Sequence, residues 1–214
     1  MSRVTSKLAG FVGLQKKWQR QPEDSFKASA RRSNVMITAR LKSKKTKGSF
    51  NVGVYHMPCA FRTPQVMSLH SALAVRRSQE LADGSPFILA GDWNITPDSP
   101  TYAMMTTGVL DEEDDTYPKK EGVEWAPDIG QGVDSAYALK NGREPEYTNW
   151  ARVKEEPVFK ETLDYIFLSK GPRGGAHWKV KKVDEVVDAG SVCPNEQEGS
   201  DHVSICAEVD PIKK

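Results

Sequence analysis

From Asn34 onward the chain alternates apolar and polar positions with a period near two. NVMITARL and SFNVGVYH both follow this pattern and are joined by a Lys- and Gly-rich connection. Alternation of this kind turns one face of a strand toward a core, so the two segments predict a β-hairpin. The period then lengthens. In TPQVMSLHSALAVRRSQELADG, Thr63 stands as an N-cap and Pro64 takes the first helical position, while Val66, Leu69 and Leu73 recur at helical spacing and Gly84 supplies the stop. The continuous apolar run PFILAGD predicts a short strand buried on both faces. DSPTYAMMTTG repeats the helix signature, with Ser99 as cap, Pro100 as first residue and Gly108 as terminator. Val109 to about Gly142 is rich in acid, Gly and Pro and reads as a long irregular excursion around DSAYAL. Four strand candidates follow, YTNWARV, ETLDYIFLS, HWKVKKVDEVVD and SDHVSICAEV, each rich in Val, Ile, Tyr, Phe, Trp or Thr. Helices interleave with strands early and strands dominate late, which is the pattern of a layered α/β fold.

Composition narrows the class. A chain of 214 residues with 38% apolar residues is long enough for one domain with a real core. No apolar stretch approaches the length of a membrane span or a secretory signal, so an intracellular, cytoplasmic protein without membrane contact is expected. Cys59, Cys193 and Cys206 are odd in number and lack CxxC spacing, which supports neither a disulfide framework nor a zinc ribbon. The net charge of +1 conceals polarity: residues 1–50 hold 13 Lys or Arg against two acids, and the remainder holds 17 against 27. Such a basic segment can neutralise phosphates of a nucleic acid, although LKSKKTKGS reads first as a solvated turn. The cluster DEEDD at Asp111 to Asp115 has no fixed ligand spacing and reads as an exposed loop. Residues 1–33 are set apart as a basic, poorly defined segment and 34–214 as the domain.

Polar groups recur where the expected strands run out into loops, the place where layered α/β proteins gather their chemistry. His56 ends VGVYH, Asp92 and Asn94 follow FILAG, Asn149 lies in YTNW, Asp164 in TLDYIF, and Asp201 with His202 in SDHVSI. Taken singly each has a plain structural reading: Asx-turn formers, a strand-edge acceptor, a satisfied core histidine.

Their order changes the weighting. GDxN, then LDYIF, then SDH before a final apolar strand resembles the endonuclease/exonuclease/phosphatase superfamily, and SAYAL, EYTNW, ETLDYIFLS and GSDHVSICAEV look most like its nocturnin and Angel branch, related to deadenylases. The resemblance runs from about Asn34 to Val209. It implies a two-sheet α/β sandwich of the DNase I-like type and a metal-dependent attack of water on a phosphoester, with Mg2+, or Mn2+ as an alternative, as cofactor. RNA cleaved from a 3′ end, or another phosphoester, is the implied substrate. By the same resemblance Asp92 positions and deprotonates the water, Asn94 bonds the scissile phosphate or fixes Asp92, and His202 contacts the phosphate with Asp164 behind it. His56 supports the same phosphate, Asp201 is the metal-side carboxylate, and Asn149 and Asn34 are candidate substrate contacts. These residue types suit the chemistry: displacement at phosphorus needs an activated water and support for charge on the non-bridging oxygens, and magnesium needs only one or two carboxylates beside the substrate's own oxygens. The family's domain opens with a strand bearing an Asn and another ending in Gln-Glu. Neither is found here, so the sandwich is expected to be N-terminally incomplete. That leaves two alternatives: a non-catalytic relative that grips RNA or phosphate, and a phosphatase acting on a small phosphoester. Composition and motifs give no oligomeric state.

Overall fold

A computed structural model of the protein describes residues 24–44, 48–152, 157–171 and 174–212. Most of the basic segment, 1–23, lies outside the described residues, as do positions 45–47 of the Lys-rich turn. The described part opens with helix α1 (Ser25–Ala30), capped by Asp24, whose carboxylate accepts from the backbone N–H groups of Phe26 and Lys27.

The expected hairpin is present. Strands β1 (Met36–Lys42) and β2 (Ser49–Tyr55) pair antiparallel, Ile37 opposite Val54 and Leu41 opposite Phe50. Helix α2 (Pro64–Ala82) crosses back so that β3 (Phe87–Asp92) pairs parallel to β2. Two details of α2 differ from the sequence reading. Thr63 takes the cap position without a side-chain hydrogen bond, and the helix ends on Asp83 in the left-handed conformation, one residue before Gly84. Leu73 is also 46% exposed, because the apolar stripe running through Val66, Leu69, Ala72 and Val75 leaves it on the outer side. Helix α3 (Pro100–Thr107) is as expected: Ser99 Oγ accepts from the Tyr102 N–H, and Gly108 ends it at φ 83°. Any Cβ at Gly108 would sit 1.8 Å from the Gly130 carbonyl oxygen, so the terminator cannot be another residue.

The excursion expected over 109–142 is more ordered than its composition suggests. Its end forms β4 (Val133–Ser135) and α4 (Ala136–Asn141), with Ser135 as the helix cap. Short strands β5 (Asn149–Ala151) and β6 (Phe159–Glu161) form a separate pair, and β7 (Asp164–Ser169) inserts between β3 and β4. The main sheet therefore runs β1-β2-β3-β7-β4. Strands β8 (Trp178–Val183) and β9 (Ala207–Pro211) make a third, two-stranded sheet. The last strand is shorter than SDHVSICAEV suggests: residues 201–206 are irregular and only Ala207 onward is strand.

Alternation along the central strands fills two layers. Phe87, Leu89, Tyr165 and Phe167 join Val66, Val75, Met104 and Met105 of the helices in the larger core. Ile88, Ile166 and Leu168, from the alternate positions, meet Trp178, Val180 and Val209 of the β8–β9 sheet. The result is the two-sheet α/β arrangement implied by the resemblance, with helices α2 and α3 on one face of the main sheet and the β8–β9 sheet, joined by Ala136 of α4, on the other. The outer hairpin departs from the expected half-buried pattern: Ile37 of β1 is 70% and its β2 partner Val54 52% exposed, because β8 and β9 cover the sheet further along.

Candidate active site

Topology brings the distant motifs to one end of the main sheet. Since β2 and β3 are parallel, their C-terminal ends coincide, and His56 and Asp92 emerge side by side. The Met57 N–H donates to the Asp92 carbonyl at 2.8 Å and locks the two exits together. Gly91 makes this approach possible: its φ is 141°, and a Cβ there would lie 2.0 Å from the Tyr55 carbonyl oxygen. Antiparallel β7 enters from the same end, so its first residue, Asp164, sits in register with Asp92. His202 arrives on the irregular stretch before β9, held by a bridge between Asn149 and His202 and by the Val203 N–H on the Thr148 carbonyl at 2.8 Å.

His56, Asp92, Asn94, Asp164, Asp201 and His202 line one open cleft of about 470 Å³. Asp92 is held from below. Asn94, at φ 51°, donates its backbone N–H to Asp92 Oδ1 at 2.9 Å, and its side-chain Nδ2 reaches Asp92 Oδ2 at 3.3 Å and the Met57 carbonyl at 3.0 Å. The Asn94 amide nitrogen is thus turned toward Asp92 and the Met57 carbonyl. On the cleft side, His56 Nε2 lies 3.3 Å and His202 Nε2 3.8 Å from the same Asp92 oxygen. His202 Nδ1 is 2.7 Å from Asp164 Oδ2. The two histidines thus flank one carboxylate, and a second carboxylate backs one of them.

The electrostatics follow from burial and pairing. Burial pushes the Asp92 carboxyl above the usual carboxylate range; the Asn94 hydrogen bond opposes this, and the facing Asp164 adds to it. The hydrogen bond to Asp164 raises His202 above an ordinary histidine, against the opposing effect of burial. Chemically the cleft offers a carboxylate of raised basicity beside a ring that holds its proton longer than usual, suited to activating a water and receiving an anion.

The remaining residues singled out in the sequence sit at the margin. Asn149 is buried, with Nδ2 3.4 Å from Asp201 Oδ2, so it faces the Asp201 corner. Asn34 does not line the cleft; its amide donates to the His56 carbonyl at 2.8 Å and steadies that loop. Sequence reasoning missed Thr148, whose hydroxyl bonds Asp164 Oδ2 at 2.7 Å from a fully buried position. It stood inside the quoted EYTNW motif, but a lone Thr in a strand carries no signal of that contact. Among the described residues no three His, Cys, Asp or Glu groups are arranged to hold a metal ion. The three cysteines are free, and no helix among the described residues is long and apolar enough to cross a membrane.

Comparison with known proteins agrees with this architecture. A model of the endonuclease/exonuclease/phosphatase family matches residues 19–202. Nocturnin of Drosophila melanogaster is 27% identical over 151 residues, 64% of this chain and 22% of that protein. Among solved structures, the human nocturnin catalytic domain with bound sulfate anion is 21% identical at a TM-score of 0.59, over 85% of this chain and 54% of that one. ANGEL2, described as a 2′,3′-cyclic phosphatase, is 21% identical at a TM-score of 0.63, over 85% and 62%. The chain thus spans about a fifth of the Drosophila protein and between half and two thirds of these solved relatives, whose likeness establishes the fold. With the family model covering most of its length, the chain belongs to the endonuclease/exonuclease/phosphatase family of phosphoesterases.

Proposed function

We propose that the cleft hydrolyses a phosphodiester, with RNA attacked from a 3′ end as the substrate. The observation that carries the reading is the convergence of His56 and His202 on Asp92, with Asp164 behind His202. A water lodged against Asp92 would lose its proton to a carboxylate whose basicity burial has raised. His202, kept protonated by Asp164, and the exposed His56 would share the non-bridging oxygens as charge gathers there. Asn94 would keep Asp92 from turning away during the step. The nocturnin likeness supports a nucleotide-containing substrate, and the basic first fifty residues of the sequence support a polyanion.

Asp201, with the substrate's own oxygens and waters, would hold a magnesium ion, which keeps much of its hydration and would supply charge neutralisation at the phosphate. None of the roles given to Asp92, His56 and His202 depends on it.

The test uses the purified chain, fluorescent poly(A) and magnesium. Asp92→Ala and His202→Ala are each expected to slow cleavage by about a hundredfold or more, the usual weight of a positioned acid or base. Equal cleavage by the parent and both variants removes the assignment.

A further inference from the structure

We propose that Tyr147 is a positioning residue that seats residues 187–203 as a unit with its own small core, and through that unit sets where Asp201 and His202 stand in the cleft. The proposal rests on the phosphodiesterase reading of the cleft and deepens it.

Tyr147, Ala189, Cys193 and Val203 are buried together, with Trp150 and Val186 packed on them, in a cluster separate from the two cores of the main sheet. Apolar burial stabilises roughly in proportion to area, so a core this small holds its segment weakly by itself. Hydrogen bonds to the backbone around β5 secure the middle and the end of the segment. The Cys193 N–H donates to the Trp150 carbonyl at 2.8 Å, the Trp150 N–H to the Asp201 carbonyl at 3.0 Å, and the Val203 N–H to the Thr148 carbonyl at 2.8 Å. The start of the segment is secured by the Tyr147 hydroxyl, which has one proton to give and lone pairs to fill. Its proton goes to the Val187 carbonyl at 3.1 Å, and a lone pair takes the buried Ala189 N–H at 2.9 Å. Asn195 closes the segment on itself. Its amide nitrogen donates to the Ala189 carbonyl at 3.0 Å, and its oxygen accepts the Gln197 and Glu198 N–H groups, both at 2.9 Å.

The Tyr147 ring is itself held in place. Trp150 meets it edge-on with centroids 5.5 Å apart, and the Lys160 ammonium lies 4.2 Å from the Tyr147 centroid and 3.8 Å from that of Trp150. Such a cation–ring attraction strengthens as water is excluded. One side chain therefore ties the first residues of the segment, through its hydroxyl, to the small core that Val203 enters directly after His202.

The experiment follows backbone hydrogen exchange and imidazole 1H–13C signals in the full chain and in Tyr147→Phe, together with kcat on poly(A). In the parent, the amides of Ala189, Cys193 and Val203 are expected to exchange through an opening that leaves the β3–β7 ladder closed, and so faster than that ladder. Tyr147→Phe leaves the Ala189 N–H buried without its partner, so these three amides should exchange faster by on the order of tenfold to a hundredfold. The β3–β7 ladder should keep the parent's rates. The His202 signal should shift or broaden, while those of His70 on α2 and His177 ahead of β8 stay in place. The same variant should lower kcat by about tenfold, the effect of a small misplacement of reacting groups. A role confined to overall stability would instead speed the ladder and the segment alike, and that result overturns the proposal. Parent amides at 189, 193 and 203 as slow as the ladder also overturn it, and this result needs no variant to fold. So does a folded Phe variant with unchanged local exchange and an unmoved His202 signal. If the exchange and the His202 signal respond while no chain, parent included, cleaves poly(A), the hydrolase reading fails and the seating of His202 by Tyr147 stands.

Discussion

His202 touches two carboxylates through its two nitrogens, Asp164 at 2.7 Å and Asp92 at 3.8 Å, and the closer partner sets its protonation. Because its folded pKa is raised, the ring keeps its charge to higher pH than an ordinary histidine. Activity that needs the protonated ring should therefore fall with rising pH only through that raised value. In Asp164→Asn the stabilising carboxylate is gone, so the basic limb of the kcat/KM profile should move to lower pH; a limb that stays in place would assign it to another group. His70 has the opposite sign. It sits between the Tyr55 hydroxyl at 2.6 Å and the Ser29 carbonyl at 3.3 Å, and burial lowers its pKa. Between the folded and unfolded values the unfolded chain binds more protons, so stability is complete above the ordinary histidine range and is lost as pH falls through it. Urea melts from neutral to mildly acidic pH should show that loss in the parent, and His70→Gln should flatten it.

The elements that aim these side chains were legible to different degrees. Period-two alternation identified the β1–β2 hairpin, and the Ser-Pro and Thr-Pro starts identified α2 and α3, because both signals are local. Helix α4 was hidden in a stretch read as loop: its six residues bury only Ala136 and Tyr137 and show no sustained period. The site residues were legible as a set of motifs, but their meeting was not, since it depends on β7 inserting beside β3 rather than beside its neighbours in sequence. Asn34 shows the limit of motif reading, for its amide is engaged by the backbone of His56. Gly91 carries no local signal of its necessity, which comes from the close approach of the Tyr55 backbone. Gly91→Ala should lower stability by about 1–3 kcal/mol from backbone strain alone, with the clash adding to it. Chemical denaturation gives the value, and a loss within a few tenths of a kcal/mol would mean the strand can move aside.

Across the whole molecule the two faces of the main sheet are unequally covered. Helices α2 and α3 protect one face, whereas β8 and β9 cover the other only opposite the central strands, and Ile37 and Leu41 of the β1 edge face solvent with Val54 of β2 beside them. An open edge with apolar side chains invites chain-to-chain pairing. Ile37→Lys is therefore expected to lower light scattering at high protein concentration while shifting stability by no more than about 0.5 kcal/mol, as for exposed positions generally. The pairing of Asp92 with Asp164 carries a further consequence at this scale. Two acids stand directly across from each other on adjoining strands, an arrangement that repels when both are ionised, and the His202 imidazole lies between them, 2.7 Å from one and 3.8 Å from the other. A chain stripped of that ring should fold more readily in mildly acidic buffer than in neutral buffer. The candidate cleft and the closure of its own scaffold therefore share a single keystone.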